Sequence, residues 1–197
     1  MGRLTIGVLA LQGAFAKHIE MLRQLDVDIT EVRKPADLER CDGLIIPGGE
    51  STTIMRQIRY IGLADKLVAF AEKKPIFGTC AGLILMSKEI LADQMIPFSI
   101  IDVAVERNAF GRQVESFSHE VKVVLDHPKQ PVDFRAVFIR APRIKECGSD
   151  VKVLASFEGE PVLIQQGKHL GSTFHPELTD DAAIHRYFLR VVAKHAG

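Results

Sequence analysis

Residues 75–83 read PIFGTCAGL, an apolar run that turns into a cysteine bracketed by two glycines. The apolar start predicts a buried strand, and the residues after Gly82 predict a helix. The pattern Gly-x-Cys-x-Gly between them has the spacing of the nucleophile elbow that hydrolases build around serine. Gly78 and Gly82 leave room in such a tight turn because they lack a Cβ atom. We therefore expect Cys80 to project from a strand-to-helix turn.

The segments around this turn alternate between strand and helix in the first ninety residues. Buried strands are predicted at residues 4–11, 28–33, 43–46 and 75–78, and helices at residues 51–61, 63–72 and 83–91. A further helix is predicted from the spacing of Phe15, Ile19, Leu22 and Leu25. Because the strands are apolar on both faces, we expect a parallel sheet with helices on both sides.

The second half of the chain changes to closely spaced strands. They are predicted at residues 103–107, 121–125, 136–139, 151–157, 161–166 and 170–174. Their short connections indicate antiparallel hairpins added to the parallel sheet. A last helix buries Ile184 and Phe188, with Thr179 as its expected N-cap. Since the sequence contains no repeat or linker, we expect one domain over residues 1–197.

Composition narrows the classes of partner. The 197 residues carry 25 Lys plus Arg against 25 Asp plus Glu, so no basic excess indicates nucleic acid. The apolar runs are shorter than the roughly 20 residues that span a membrane, so none is expected to do so. The start lacks a cleavable apolar segment, and the three cysteines are scattered. We therefore expect reduced thiols and a cytoplasmic protein.

Cys80 stands in surroundings that suit a nucleophile. At a helix N-terminus, unpaired N–H groups and the helix dipole favour thiolate over thiol. The amide of Ala81 is then free to point toward an oxyanion. The alternative is a buried cysteine in a glycine-bracketed turn. Cys41 and Cys147 lack this context and are predicted to be inert.

A thiol that attacks an amide needs an imidazole nearby, and His175 is the best candidate. It ends an apolar strand, and the following Pro176 should hold it extended. Two residues on in extended chain, Glu177 can project to the same side and accept the other imidazole N–H. The other histidines are expected at the surface or at helix caps: His18, His119, His127, His169, His185 and His195. Since none has the spacing of metal ligands, we expect neither a metal nor a cofactor.

Residues 46–52 read IPGGEST and also join a strand to a helix. The paired glycines permit positive φ and expose backbone N–H groups, so Gly49 could supply a second oxyanion donor. A simple turn with Ser51 as N-cap is the alternative. The loop lacks the lysine of a phosphate-binding loop, and the chain lacks a dinucleotide-binding glycine pattern.

Three motifs taken in order carry a resemblance to a known family. PGG at residues 47–49, GTCAG at 78–82 and HPE at 175–177 resemble the class I, or triad, glutamine amidotransferases. Longer strings are similar to the glutaminase subunits of pyridoxal 5′-phosphate synthases, which serve vitamin B6 biosynthesis: LQG at 11–13, PGGEST at 47–52, VERN at 105–108, FGRQ at 110–113, FIRAP at 138–142 and FHPELT at 174–179.

The resemblance implies a flavodoxin-like α/β domain over the whole chain. It also implies hydrolysis of L-glutamine through a glutamyl thioester, with the ammonia passed to a synthase subunit in a hetero-oligomer and no bound cofactor. Cys80 would be the nucleophile, His175 the base and Glu177 its partner. The positions that match the glutamine-binding residues of the family are Gly49, Glu50, Ser51, Arg107, Ile139 and Arg140.

The chemistry of glutamine agrees with these positions. Its α-carboxylate calls for a fixed positive group and its α-ammonium for an acceptor, which Arg107 and Glu50 could supply. A buried Arg140 could instead serve a structural carboxylate. Ala81 is smaller than the residue usual after the nucleophile in the class, a departure that the narrower group shares.

Other functions remain open at this point. The chain could donate ammonia to a different synthase, in imidazole glycerol phosphate or purine synthesis. The same fold with an elbow cysteine also occurs in chaperone-like or redox-sensing proteins, although these lack a matched His-Pro-Glu. A catalytically silent interaction module is the third alternative.

Overall fold

The computed structural model describes residues 2–107, 116–125 and 130–196. The last residue of the VERN motif (Asn108), the FGRQ motif at residues 110–113 and His127 lie outside the described residues. The strands are β1 (Thr5–Leu9), β2 (Asp28–Val32), β3 (Gly43–Ile46), β4 (Ile76–Thr79), β5 (Ser87–Leu91), β6 (Ile101–Glu106), β7 (Ser116–Val123), β8 (Val132–Ile139), β9 (Arg143–Cys147), β10 (Lys152–Phe157), β11 (Glu160–Gln166) and β12 (His169–Ser172). The α-helices are α1 (Phe15–Leu22), α2 (Ser51–Tyr60), α3 (Ala64–Lys73), α4 (Ala81–Met86) and α5 (Ala183–His195).

The main sheet has seven strands in the order β10-β11-β12-β4-β3-β1-β2. From β2 to β12 all neighbours are parallel, while β10 and β11 continue the sheet antiparallel. The five parallel strands follow the 2-1-3-4-5 order of flavodoxin-like folds. The predicted fold class, a mainly parallel α/β sheet of the flavodoxin type, is confirmed.

Helices cover both faces of this sheet because alternate side chains of its strands enter two separate cores. Ile45 belongs to the core under α1 and α5, whereas its neighbours Leu44 and Ile46 belong to the core under α2, α3 and α4. Every residue of β3, β4 and β12 is buried. The prediction of strands buried on both faces is therefore confirmed for β3 and β4, whereas it is wrong for β2, which lies at the edge of the sheet and is partly exposed.

The helix predicted at residues 83–91 is wrong in its second half. Helix α4 ends at Met86, and Ser87 is already extended, with φ −61° and ψ 162°. The Ser87 hydroxyl donates to the carbonyl of Ile84, which the ended helix leaves open. The following residues form β5, which pairs with β6 in parallel. Pairing with a distant strand therefore overrides the local helical pattern.

The second half also differs from its predicted arrangement. Of the second-half strands, β10, β11 and β12 join the main sheet, whereas β5, β6 and β9 form a separate three-stranded sheet, and β7 and β8 form a two-stranded ribbon. The sequence pattern did not indicate β9. The β7–β8 ribbon buries one face only, with Phe134, Ala136 and Phe138 turned toward the α1 and α5 core. Such a ribbon, with one face on the core and the other exposed, is typical of antiparallel strands.

The end of the chain forms α5, but Thr179 is not its N-cap. The helix begins at Ala183, and the carboxylate of Asp181 accepts the Ala183 N–H at 2.8 Å. None of the helices in the described ranges has the length and apolar character needed to cross a membrane.

Candidate active site

Cys80 occupies a strained turn between β4 and α4. Its backbone has φ 49° and ψ −106°, a conformation that costs non-glycine residues about 1–3 kcal/mol. The Cys80 N–H donates to Ser172 O at 2.8 Å, which ties the turn to the end of β12. A Cβ atom on Gly78 would lie 2.6 Å from the Gly82 carbonyl carbon, and one on Gly82 would lie 2.0 Å from Ile46 O. The turn therefore needs both glycines, as the sequence predicts.

His175 and Glu177 meet beside this turn. The imidazole Nδ1 lies 2.7 Å from Glu177 Oε1, and both side chains are buried. The extended path predicted through Glu177 is wrong, because Pro176–Leu178 forms a 3-10 turn. That turn brings the carboxylate back to the imidazole. The backbone N–H of His175 donates to Val137 O at 2.8 Å, which ties the segment to β8.

The two buried groups stabilise each other's charge. Burial alone lowers the pKa of His175, but hydrogen bonds with Cys80 and Glu177 outweigh it and raise that pKa to about 10. Burial alone raises the pKa of Glu177, but the field of His18 and the hydrogen bond with His175 leave it below its usual value. The site is therefore built to hold a carboxylate against an imidazolium.

The loop at residues 47–49 closes over the thiol and the imidazole. A Cβ atom on Gly48 would lie 2.3 Å from His175 Cε1 and 3.2 Å from Cys80 Cβ. Neither Gly48 nor Gly49 has positive φ, so the expected reason for the paired glycines is wrong. What they provide is space. Gly48 is held by its N–H, which donates to Thr79 Oγ1 at 3.1 Å, and by its carbonyl, which accepts the Ala14 N–H at 2.9 Å.

Glu50, not Ser51, caps helix α2. Its carboxylate accepts the N–H groups of Thr52 at 3.0 Å and Thr53 at 2.6 Å. The hydrogen bond from the Thr53 hydroxyl is the largest cause that lowers the pKa of Glu50 to about 2. The permanent charge of this carboxylate lies 3.6 Å from the guanidinium of Arg107.

The two arginines of the predicted site are held differently. Arg107 donates to Asp93 at 2.7 Å and to the Thr52 hydroxyl at 3.2 Å, and its side chain is mostly covered. Arg140 is exposed, with φ 42°, and makes no ion pair within the described part of the chain. The buried structural role considered for Arg140 therefore does not apply.

A cavity of about 180 Å³ opens between these elements. Its lining consists of Ala14, Gly48, Gly49, Glu50, Ser51, Cys80, Ile84, Arg107, Ile139, Arg140 and His175. The structure thus brings the predicted nucleophile, base and glutamine-binding residues to one cavity. Glu177 and Ala81 are buried and do not line the cavity themselves. Glu177 bonds to the lining residue His175, and Ala81 follows Cys80 in the chain.

Sequence reasoning missed part of the surroundings of Glu177. His18 and His185 are fully buried, which contradicts the surface or capping role expected for them. His169 is buried as well, whereas His119 and His195 are exposed. Helical spacing was an available signal, because His18 stands with Leu22 on the apolar face of α1, and His185 with Phe188 on that of α5.

The family model that matches residues 8–194 describes the SNO glutamine amidotransferase family. Proteins named "Pyridoxal 5'-phosphate synthase subunit PdxT" from Thermotoga neapolitana and Pseudothermotoga lettingae are each 50% identical to this chain. The alignments cover 96% of this chain and 100% of the first relative, and 98% and 99% for the second.

Solved structures of other proteins share the fold of this chain. One described as a glutamine amidotransferase has a TM-score of 0.88 and 46% identity, and the alignment covers 95% of this chain and 98% of that one. PurLQS from Thermotoga maritima shares the fold at 15% identity, with a TM-score of 0.70 and full coverage of both chains. With a family match over nearly all of its length and relatives at half identity, this chain belongs to the SNO glutamine amidotransferase family.

Proposed function

We propose that this chain is the glutaminase subunit of a pyridoxal 5′-phosphate synthase. It hydrolyses L-glutamine to L-glutamate and ammonia and passes the ammonia to the synthase subunit. The observation that carries the proposal is the pairing of His175 with Glu177, together with a single cavity whose lining includes His175, Cys80 and two arginines. The identity with the PdxT relatives supports the choice of synthase.

Glutamine binds with its side-chain amide at Cys80 and its α-carbon at the arginines. Arg107 is the fixed positive group for the α-carboxylate, because Asp93 and Thr52 hold its guanidinium in place. Exposed Arg140 lines the same cavity and offers this carboxylate a second positive charge. Glu50 stays ionised while it caps α2, so it offers the α-ammonium a negative charge without being free to move.

The reaction is acyl transfer in two steps. The Cys80 thiolate attacks the amide carbon, and the amides of Gly49 and Ala81 stabilise the oxyanion. His175 donates a proton to the departing ammonia, which leaves a glutamyl thioester on Cys80. His175 then takes a proton from water, and the water oxygen attacks the thioester to release glutamate and the thiolate. Throughout, Glu177 keeps the imidazole oriented and stabilises its charged form.

The partner is a second polypeptide that consumes the ammonia, and the complex works in the cytoplasm as a hetero-oligomer. The free state of all three cysteines agrees with a reducing compartment. The chain acts as one catalytic domain, without a metal or bound cofactor.

The deciding experiment measures ammonia release from glutamine by this chain mixed with a pyridoxal 5′-phosphate synthase subunit. We expect strong stimulation over the chain alone, because ammonia made without an acceptor is wasted. Mixtures with an imidazole glycerol phosphate synthase subunit and with a purine-pathway synthase subunit serve as controls. Stimulation by one of these controls, but not by the pyridoxal 5′-phosphate synthase subunit, would reassign the partner.

A further inference from the structure

A line of buried polar groups continues from Glu177 into the core, away from the cavity. His18 Nε2 lies 3.4 Å from Glu177 Oε2 and 3.1 Å from Thr79 Oγ1. On the other side of the ring, His18 Nδ1 lies 3.0 Å from Nε2 of His185. The side chains of His18 and Glu177 have no exposed surface. Helices α1 and α5 thus each place one imidazole behind the carboxylate.

The protons of this line can be arranged in two ways. In the first, His185 Nε2–H donates to His18 Nδ1, and His18 Nε2–H faces the carboxylate. In the second, His18 Nδ1–H donates to His185, and the lone pair on His18 Nε2 faces Glu177 Oε2. The second arrangement sets a lone pair against a negative charge in a buried site, which is unfavourable. It also leaves a proton on His185 Nδ1, a buried atom without a hydrogen-bond partner in the described ranges.

The first arrangement fits the surroundings of both ends. A neutral His185 leaves only a lone pair at its unpartnered Nδ1. The His18 Nε2–H then donates to Thr79 Oγ1 at 3.1 Å and also faces Glu177 Oε2, which accepts no other hydrogen bond within the described residues. At 3.4 Å the approach is an electrostatic contact and not a full hydrogen bond. It still directs the positive end of the N–H dipole to the oxygen that His175 leaves unused.

We propose that His18 is a positioning residue for the reaction, which holds Glu177 charged and correctly turned toward His175. His185 sets the tautomer of His18, and Thr79 connects His18 to the Gly48 N–H of the loop over the cavity. His18 acts through Glu177, and it does not line the cavity that holds the thiol. The inference rests on the proposed function for its effect on turnover, but the tautomer and the contact do not depend on it.

The test uses two amides that divide the functions of the imidazole. The side-chain amide of His18→Gln carries an N–H near the position of Nε2. The shorter amide of His18→Asn reaches only as far as the position of Nδ1. With the synthase subunit present, we expect His18→Asn to lower kcat about tenfold, as a loss of one weak buried interaction would. We also expect it to move the acidic limb of the kcat/KM profile upward by about one pH unit, because Glu177 gains a proton more easily. His18→Gln should stay close to the wild type in both.

The groups that face Glu177 must be considered in reading this profile. They are His175 from its own segment, His18 from α1, His185 from α5, and Cys80 through His175. His169→Leu is the matched control, because His169 is a buried histidine of β12 that accepts the Ile76 N–H. It should lower stability without moving the profile.

A proton NMR signal provides a readout that does not require activity. The His175 Nδ1 proton, bonded to a carboxylate, should resonate far downfield in the wild type, in His18→Gln and in His169→Leu, and should move upfield in His18→Asn. An unmoved signal and pH profile in folded His18→Asn would overturn the proposal, even if turnover falls. If His18→Asn does not fold, His18→Leu replaces it in the same comparison. Inactive wild-type protein with the expected signals would count against the proposed function alone.

Discussion

Glu177 separates two regions that differ in charge, although both are buried. On the cavity side, His175 hydrogen-bonds to the carboxylate, and its pKa is raised to about 10. On the core side, burial dominates, and the pKa of His185 is lowered to about 3. The difference shows that a bonded counter-charge, not the degree of burial, decides whether an imidazole is charged. The imidazole on the cavity side can therefore transfer protons, whereas those on the core side stay neutral and hold Glu177 in place.

The largest expected effect lies on the cavity side, at its thiol. Cys80→Ala should lower kcat for glutamine hydrolysis on the order of 10⁶-fold, the scale seen when a nucleophile acting as a unit with its base is removed. Ammonia release in the presence of the synthase subunit is the measurement. Circular dichroism should show an unchanged fold.

Cys41→Ala is the matched control for this change. Cys41 is also buried, but burial raises the pKa of its thiol to about 11, and its Sγ donates to Asp37 O. The control should therefore keep its activity and lose some stability. A glutamine-like electrophile should modify a single peptide, the one that contains Cys80. Full activity of Cys80→Ala would refute the thioester mechanism.

A smaller loss is expected where the two regions meet. Glu177→Gln keeps the size of the side chain but removes the charge that stabilises the imidazolium, so kcat should fall roughly tenfold or more. Glutamine binding, measured by calorimetry, should remain, because Glu177 does not line the cavity. If kcat is unchanged while His175→Asn is inactive, Glu177 has a structural role only.

The next effect concerns binding and not chemistry. Arg107→Ala should raise KM for glutamine about ten- to a hundredfold with little change in kcat, because a charge-assisted contact to the α-carboxylate contributes about 1.5–3 kcal/mol. Arg140→Ala should raise KM less, since exposed Arg140 has no partner in the described ranges to fix it. Steady-state kinetics at saturating glutamine separates the two constants. A defect in kcat alone for Arg107→Ala would contradict its binding role.

The sequence predicted the cavity side better than the core side, for physical reasons. The elbow at Cys80, the glycine loop and His-Pro-Glu are short patterns whose chemistry is local, so their positions can be recognised without a fold. The strands of the parallel sheet were equally predictable, because residues buried on both faces must be apolar throughout. Whether residues 87–91 form helix or strand depends instead on β6, which begins ten residues further along the chain.

The remaining parts of the site arise from contacts between distant segments. Asp93 fixes the guanidinium of Arg107, but no pattern in the sequence marks it, because this contact forms only when the end of β6 lies beside it. His18 and His185 are 167 positions apart, and only the packing of α1 and α5 on the same core joins them. Their places on apolar helix faces indicated burial, but no pattern in the sequence indicated that Glu177 lies between them and the cavity.

The last expected effect concerns stability and not turnover, and it tests the neutrality of the core side. The usual histidine pKa of 6.5 applies to His185 in the unfolded chain, and the folded value is about 3. Between these values the unfolded state binds more protons, so the free energy of unfolding falls as the pH is lowered through this window. His185→Leu removes the titrating group, and its loss of stability between pH 7 and pH 4.5 should be smaller than that of the wild type by roughly 2 kcal/mol. Urea denaturation at the two pH values measures the difference, with exposed His119→Gln as the control that should keep the wild-type dependence. An unchanged dependence in His185→Leu would mean that His185 is not held neutral, and the contrast between the two sides of Glu177 would fail.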